Sequence, residues 1–228
     1  LVEHTVKAFD DDIVRLRGLI AQMGGLAEQA IIQSMEALKR HDLEAADEVI
    51  AGDRRIDAIE HEVERLAVEL IALRAPLADD LREVVAALKI ASVVERIGDY
   101  AKNIARRVAA VDDHSDIEPL SVLPAMADLA CRMVHDVLDA FAARDAEAAI
   151  RVTETDRAVD DFYNSLFRTL VTYMMENPAS IGQATHLLFI AKNLERVGDH
   201  ATNVAEMVYF AATGVHMGER ERGARTII

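Results

Sequence analysis

The chain has 228 residues, enough for one large domain or two of about 100 residues, each with its own core. Apolar residues make up 51% and aromatics 4%, with no Trp, 10 Gly and 4 Pro. That argues against a β-sandwich or barrel, which needs more turn, β-branched and aromatic residues, and for long helices. Lys plus Arg is 25 against 40 Asp plus Glu, a net charge of -15, which disfavours nucleic acid and docking on anionic lipid and suits a protein that meets cations.

From Phe9 to Arg40 the apolar residues Ile13, Leu16, Ile20, Met23, Ala27, Ala30, Ile31, Met35 and Leu38 recur at three- and four-residue steps, which predicts a first helix. Gly24 and Gly25 interrupt it, either to bend it or to let another helix approach. His41-Asp42-Leu43 reads as a turn with Asp42 as the next N-cap. A second helix is expected over 43–73, with Ile56, Ile59, Val63, Leu66, Leu70 and Leu73 as its core stripe. Pro76 falls in the connection, and a third helix over 79–111 carries Ile90, Val94, Ile97, Ala101, Ile104 and Val108 inward. The polar run Asp112-Asp113-His114-Ser115-Asp116 then reads as a linker.

After it the plan repeats, with helices expected over 120–143, 148–175 and 180–212. Arg40-His41-Asp42-Leu43-Glu44-Ala45-Ala46 matches Ala143-Arg144-Asp145-Ala146-Glu147-Ala148-Ala149, and Pro76 matches Pro178. The segment Ala91–Ala105 lies over Ala191–Ala205 with eight of fifteen positions identical. The fold class is therefore all-α, two tandem pseudo-symmetric three-helix bundles packed side by side. The first bundle is expected over 1–112 and the second over 117–213, with 214–228 a flexible, Arg-rich tail.

The repeat also acts as a filter for function: which polar residues are placed twice? On the second helices they are Asp53 and Asp57, matching Asp156 and Asp160. On the third they are Glu95, Arg96, Gly98, Asp99 and Asn103, matching Glu195, Arg196, Gly198, Asp199 and Asn203. Glu60 and Glu64, by contrast, fall opposite Tyr163 and Phe167. Residues four apart share a helix stripe, so each bundle can face two carboxylates on one helix with two on the next. Such groups repel until a multivalent cation neutralises them, which makes the eight acids candidate metal ligands for a hard cation. Iron, manganese, magnesium and zinc all suit oxygen donors. No His recurs between the repeats, which disfavours a nitrogen-rich zinc site and a ferritin-like Glu-x-x-His centre.

The helical phase sets Glu95 and Asp99 away from Ile97, so the carboxylates are expected in a solvent-accessible outer groove. The plainer alternative is a solvated acidic face paired locally with Arg96 and Arg196. Gly98 and Gly198 weigh against it. Each costs about 1 kcal/mol relative to Ala inside a helix, which implies a close approach beside the acids. No nucleophile elbow or Gly-rich phosphate loop is present, and the eight His are scattered, so the chain does not read as an enzyme. Cys131 stands alone and reads as a buried free thiol. With one Cys, no signal peptide and no apolar run of about 18 residues, a cytoplasmic protein without membrane insertion is expected.

The segment Pro76-Leu-Ala-Asp-Asp-Leu-Arg-Glu-Val-Val-Ala-Ala-Leu-Lys-Ile90 resembles the PhoU family of phosphate-uptake regulators. So do Glu95-Arg-Ile-Gly-Asp99 with Asn103 and Glu195-Arg-Val-Gly-Asp199 with Asn203; the likeness runs from about Phe9 to Gly214. The resemblance implies multinuclear metal clusters, iron or zinc, at Asp53, Asp57, Glu95 and Asp99 and at Asp156, Asp160, Glu195 and Asp199. It implies repression of the phosphate-starvation response, and contact with the ATPase subunit of the phosphate ABC transporter and with a sensor histidine kinase. It also implies a homodimer, held at the inner membrane only through such partners. The second bundle carries Ala179-Ser-Ile-Gly-Gln183 in place of the Ala-Asp-Asp-Leu-Arg stretch, so the segment 76–90 is expected to serve partner contact or bundle packing. A carboxylate-bridged metal-storage protein without a signalling role is the alternative, and a plain helical scaffold a third reading.

Overall fold

The structure, a computed structural model, describes residues 2–111 and 121–217, with side chains described from residue 9 onward. It contains six long helices: α1 (Val2–Arg40), α2 (Leu43–Arg74), α3 (Asp79–Ala105), α4 (Leu123–Ala143), α5 (Ala146–Glu176) and α6 (Ile181–Thr213). The linker expected at Asp112–Asp116 and the tail from residue 218 on lie outside the described residues.

The helix ends follow from local chemistry. Asp42 and Asp145 cap α2 and α5, each accepting from the backbone N–H three residues on, Ala45 at 3.0 Å and Ala148 at 2.9 Å. The residue before each cap is left-handed, His41 with φ 50° and Arg144 with φ 54°, so the echoed sequence makes the same turn twice. α2 ends where Ala75 turns left-handed, one residue ahead of Pro76, which has no N–H to extend the ladder. The third helix was expected to reach residue 111; its α-helical part stops at Ala105 and a short 3-10 turn, Val108–Ala110, follows.

α1, α2 and α3 pack as one bundle and α4, α5 and α6 as another. α2, α3, α6 and α5 lie side by side in one layer, with α1 and α4 in contact behind it. The expected apolar stripes form the core almost throughout: Leu16, Ile20, Met23, Ile90, Ile97 and Ile104 are fully buried. Leu73 is a correction, being 76% exposed although its neighbour Arg74 still reaches Asp12 of α1 at 3.5 Å. α1 does not break at Gly24-Gly25. Gly24 instead admits α4, since a Cβ there would lie 2.1 Å from Leu138 Cδ1.

Tyr100 and His200, equivalent positions of the two repeats, meet edge to face with ring centroids 5.1 Å apart. Equivalent residues in mutual contact mark a pseudo-two-fold axis between α3 and α6. The segment 76–90 is used for packing between bundles. Glu83 is 3% exposed and pairs with Arg17 of α1 at 2.6 Å and with Arg144 of the α4–α5 turn at 3.4 Å. Arg82 lies along the end of α6, where a Cβ on Gly214 would sit 3.2 Å from its guanidinium carbon.

Candidate functional site

The eight repeated acids line two clefts, one between α2 and α3 and one between α5 and α6. The glycines create them. A Cβ on Gly98 would lie 2.7 Å from Ile56 Cδ1 and 3.6 Å from Asp53 Oδ1. A Cβ on Gly198 would lie 3.0 Å from Asp156 Oδ1. The missing side chains let each second helix lay its first Asp against the backbone of the third.

In the first cleft Asp53 is 7% exposed, and Asp57, Glu95 and Asp99 are half-buried. In the second, Glu195 is 4% exposed, and Asp156, Asp160 and Asp199 are half-buried. The expectation of a wholly open groove is thus corrected for Asp53 and Glu195, which the close helix contact draws inward.

The charges act on one another within each cleft. Burial and the neighbouring Asp99, Glu60, Asp57 and Asp53 push the Glu95 carboxyl up to about 7. Burial and then Asp160, Asp199 and Glu195 push Asp156 up to about 6, with Thr202 beside it acting the other way. Asp53 Oδ1 and Asp156 Oδ1 are shielded from solvent and have no hydrogen-bond partner among the described residues. Buried oxygens of this kind and clustered carboxylates are the donor chemistry of a hard cation, and they fit one. Among the described residues no three His, Cys, Asp or Glu side chains already converge into a cage.

Each cleft also contains a lysine that the repeat filter passes over. Lys102 Nζ bonds to Asp53 Oδ2 and reaches Asp99 Oδ1 at 2.5 Å. Burial opposes that charge, and the bonds to the two acids outweigh it and hold the ammonium above its usual range. In the second cleft Lys192 Nζ reaches both Glu195 oxygens at 2.7 Å and lies 5.0 Å from the centre of the Tyr163 ring. Position 202, equivalent to Lys102, is Thr, and position 92, equivalent to Lys192, is Ser. A filter that keeps only repeated polar residues cannot find either lysine; the mismatches themselves were the available signal.

The PhoU domain model matches this sequence twice, over residues 20–108 and 123–208. The chain belongs to the PhoU family. It is 56% identical to a phosphate-specific transport system accessory protein PhoU homolog of Zymomonas mobilis, over 97% of this chain and 94% of that one. It is 36% identical to the PhoU of Serratia marcescens, over 96% of this chain and 91% of that one. Among solved structures it resembles PhoU of Pseudomonas aeruginosa with a TM-score of 0.86 and 34% identity, over 91% of this chain and 100% of that one. The phosphate transport system regulatory protein PhoU of Streptococcus pneumoniae gives 0.85 and 29%, over 91% and 98%. PhoU proteins are accessory regulators, not enzymes. No helix among the described residues is long and apolar enough to cross a membrane.

Proposed function

We propose that this PhoU protein is a negative regulator of phosphate uptake and of the phosphate-starvation response. It acts by protein–protein contact in the cytoplasm, as a homodimer, coupling the ATPase subunit of the phosphate ABC transporter to a sensor histidine kinase. The observation that carries this is the 56% identity, over nearly the whole chain, to a relative named as an accessory protein of phosphate-specific transport.

The clefts supply a physical basis. Asp53, Asp57, Glu95 and Asp99 would hold cations in the first, and Asp156, Asp160, Glu195 and Asp199 in the second. Multinuclear iron or zinc is the reading, and manganese or magnesium suits the same oxygen donors. Bound metal would supply positive charge to a repelling set of carboxylates. This chain's own contribution is to fix α2 against α3, and α5 against α6, through Asp53 and Asp156 laid on Gly98 and Gly198. A face so fixed costs less ordering when a partner docks on it. The acidic clefts would repel free phosphate unless bound metal bridges it.

Deletion of the gene tests the reading. In phosphate-rich medium the deletion strain should express high alkaline phosphatase activity, and the wild-type copy should return it to low. Low activity without the gene would overturn the regulator role. Asp99→Asn with Asp199→Asn should remove bound metal; repression that survived its loss would make the metal incidental to signalling.

A further inference from the structure

Each repeated motif contains an arginine that the clefts do not use. Arg96 follows Glu95 and Arg196 follows Glu195, about 100° round the helix in each case. The acids are carried apart into two clefts, and the arginines are brought together at the pseudo-two-fold axis. The Arg196 guanidinium carbon lies 5.9 Å from the centre of the Tyr100 ring, in the other repeat. The charges of Arg96 and Arg196 both act on Tyr100 and on His200. Both arginines are exposed, and neither forms an ion pair with a carboxylate among the described residues.

The seam between α3 and α6 continues this charge in both directions. Positions 89, 93, 96, 100, 103 and 107 recur at steps of four and three and so share one stripe, and 189, 193, 196, 200, 203 and 207 share the equivalent one. These stripes hold Lys89, Arg96, Arg107 and Arg196 and no carboxylate, in a chain with 40 Asp plus Glu. At one end the Arg107 guanidinium lies 4.2 Å from the centre of the Phe189 ring and bonds to His186 Nδ1 at 3.0 Å, so no acid neutralises it there either. Phe189 is 48% exposed. With an acidic cleft on either side, the face made by α2, α3, α6 and α5 reads negative, positive, negative across its width. We propose that the α3–α6 seam is the docking line of an elongated acidic segment of a protein partner, whose carboxylates pair with Arg96 and Arg196. The guanidinium fork binds a carboxylate through two hydrogen bonds, and the Tyr100–His200 pair gives it an amphipathic floor. The flanking clefts repel a uniformly acidic partner, so the segment carries its carboxylates on one stripe with basic residues to either side. Tyr100 and His200 fill the axis with rings in contact, which favours a surface laid along the seam over a small anion. This inference rests on the protein–protein reading above and names the surface that serves it.

The test titrates the full-length protein against the purified ATPase subunit of the phosphate transporter and the cytoplasmic part of the sensor kinase, by biolayer interferometry. Arg96→Glu with Arg196→Glu should weaken binding of one of them by about tenfold or more. Arg96→Lys with Arg196→Lys keeps the charge without the fork and should weaken it less. Arg40→Glu with Arg132→Glu changes the net charge equally, at exposed positions of α1 and α4 behind the layer, and should bind as the wild type does. A photo-crosslinking benzoylphenylalanine at position 103 should attach to a partner peptide rich in Asp and Glu, identified by mass spectrometry. If the Arg96 and Arg196 variants bind like the wild type, if the control weakens as much as they do, or if the attached peptide is neutral or basic, the proposal fails while the regulator reading stands. A loss of dimer mass in light scattering of Arg96→Glu with Arg196→Glu would assign the seam to a second copy of this chain and overturn it as well. If the wild-type protein binds neither partner, both readings fail together. Arg96 and Arg196 are exposed and outside the apolar core, so the variants keep their fold; far-ultraviolet circular dichroism checks this.

Discussion

A methyl group on Gly198 would come within 3.0 Å of Asp156 Oδ1 and 3.4 Å of Val159 Cγ1. The glycine is therefore space for a carboxylate, and its cost in the α6 interior is offset by helix contact. An exposed helical Gly→Ala change stabilises by about 1 kcal/mol. Gly198→Ala is expected to do the reverse, lowering stability by about 1 kcal/mol, which is about 2–4 °C in melting temperature for a chain this long. Gly98→Ala should cost less, because what it meets first, at 2.7 Å, is the end of the Ile56 side chain, which can rotate. Gly25 has nothing within 4 Å of its Cβ position, so Gly25→Ala should stabilise and serves as the control. Thermal melts of the three variants decide the matter. A gain in melting temperature for Gly198→Ala would remove the close-approach argument.

The helices and their turns were legible because a 3.6-residue apolar period runs through each, and because the caps Asp42 and Asp145 recur with their neighbours. The eight acids were legible by repetition. Depth was not. The burial of Asp53 and Glu195 depends on how closely two helices approach, and helical phase within one helix says nothing of that. Lys102 and Lys192 were hidden because each occurs once, at opposite ends of related clefts. Leu73 misled because periodicity within one helix says nothing of which residues of the stripe a neighbour covers. Glu83 lies among charged neighbours in sequence and is buried only because Arg17 and Arg144 reach it from other elements.

That ion triad gives a ranked prediction. Glu83 is buried, while the Arg17 and Arg144 side chains are 28% and 37% exposed. Removing Arg17 leaves a buried carboxylate with a single, longer partner contact. Removing Glu83 leaves two arginines that can turn to water. Arg17→Met should therefore cost about 3 kcal/mol and Glu83→Met clearly less, although both delete the same 2.6 Å pair. Urea unfolding of the two variants reads the order, and equal losses or the opposite order would show that the arginines do not rehydrate.

Cys131 sits in α4 with its thiol pushed up to about 12, chiefly by burial and then by the charges of Glu28 and Asp128. Only the thiolate reacts, so at pH 8 the native protein should react with a thiol reagent on the order of a thousandfold more slowly than a free cysteine. Unfolding in guanidinium should release the reaction fully. Rapid modification of the native protein, with the fold intact, would contradict the burial.

The acids of the clefts make the stability of the metal-free protein depend on pH in a stated direction. Glu95 rises from its ordinary 4.5 to about 7 and Asp156 from 3.8 to about 6. Between those limits the native state binds more protons than the unfolded chain, so stability falls as pH rises. The loss begins near the ordinary carboxylate values and is complete above about 7 for Glu95 and about 6 for Asp156. The general repulsion of a chain with net charge -15 slopes the same way, so the wild-type curve alone is not decisive. The variants are. Glu95→Gln should flatten the curve between pH 5 and 7.5, and Asp156→Asn should flatten its lower part, measured as urea midpoints in chelator. A divalent cation replaces the protons as the neutralising charge, so wild-type stability in added Mn²⁺ should be restored above pH 7, where the metal-free protein is weakest. A wild-type slope that survived both Glu95→Gln and Asp156→Asn would place the pH dependence outside the clefts and leave their carboxylates as ordinary solvated charges.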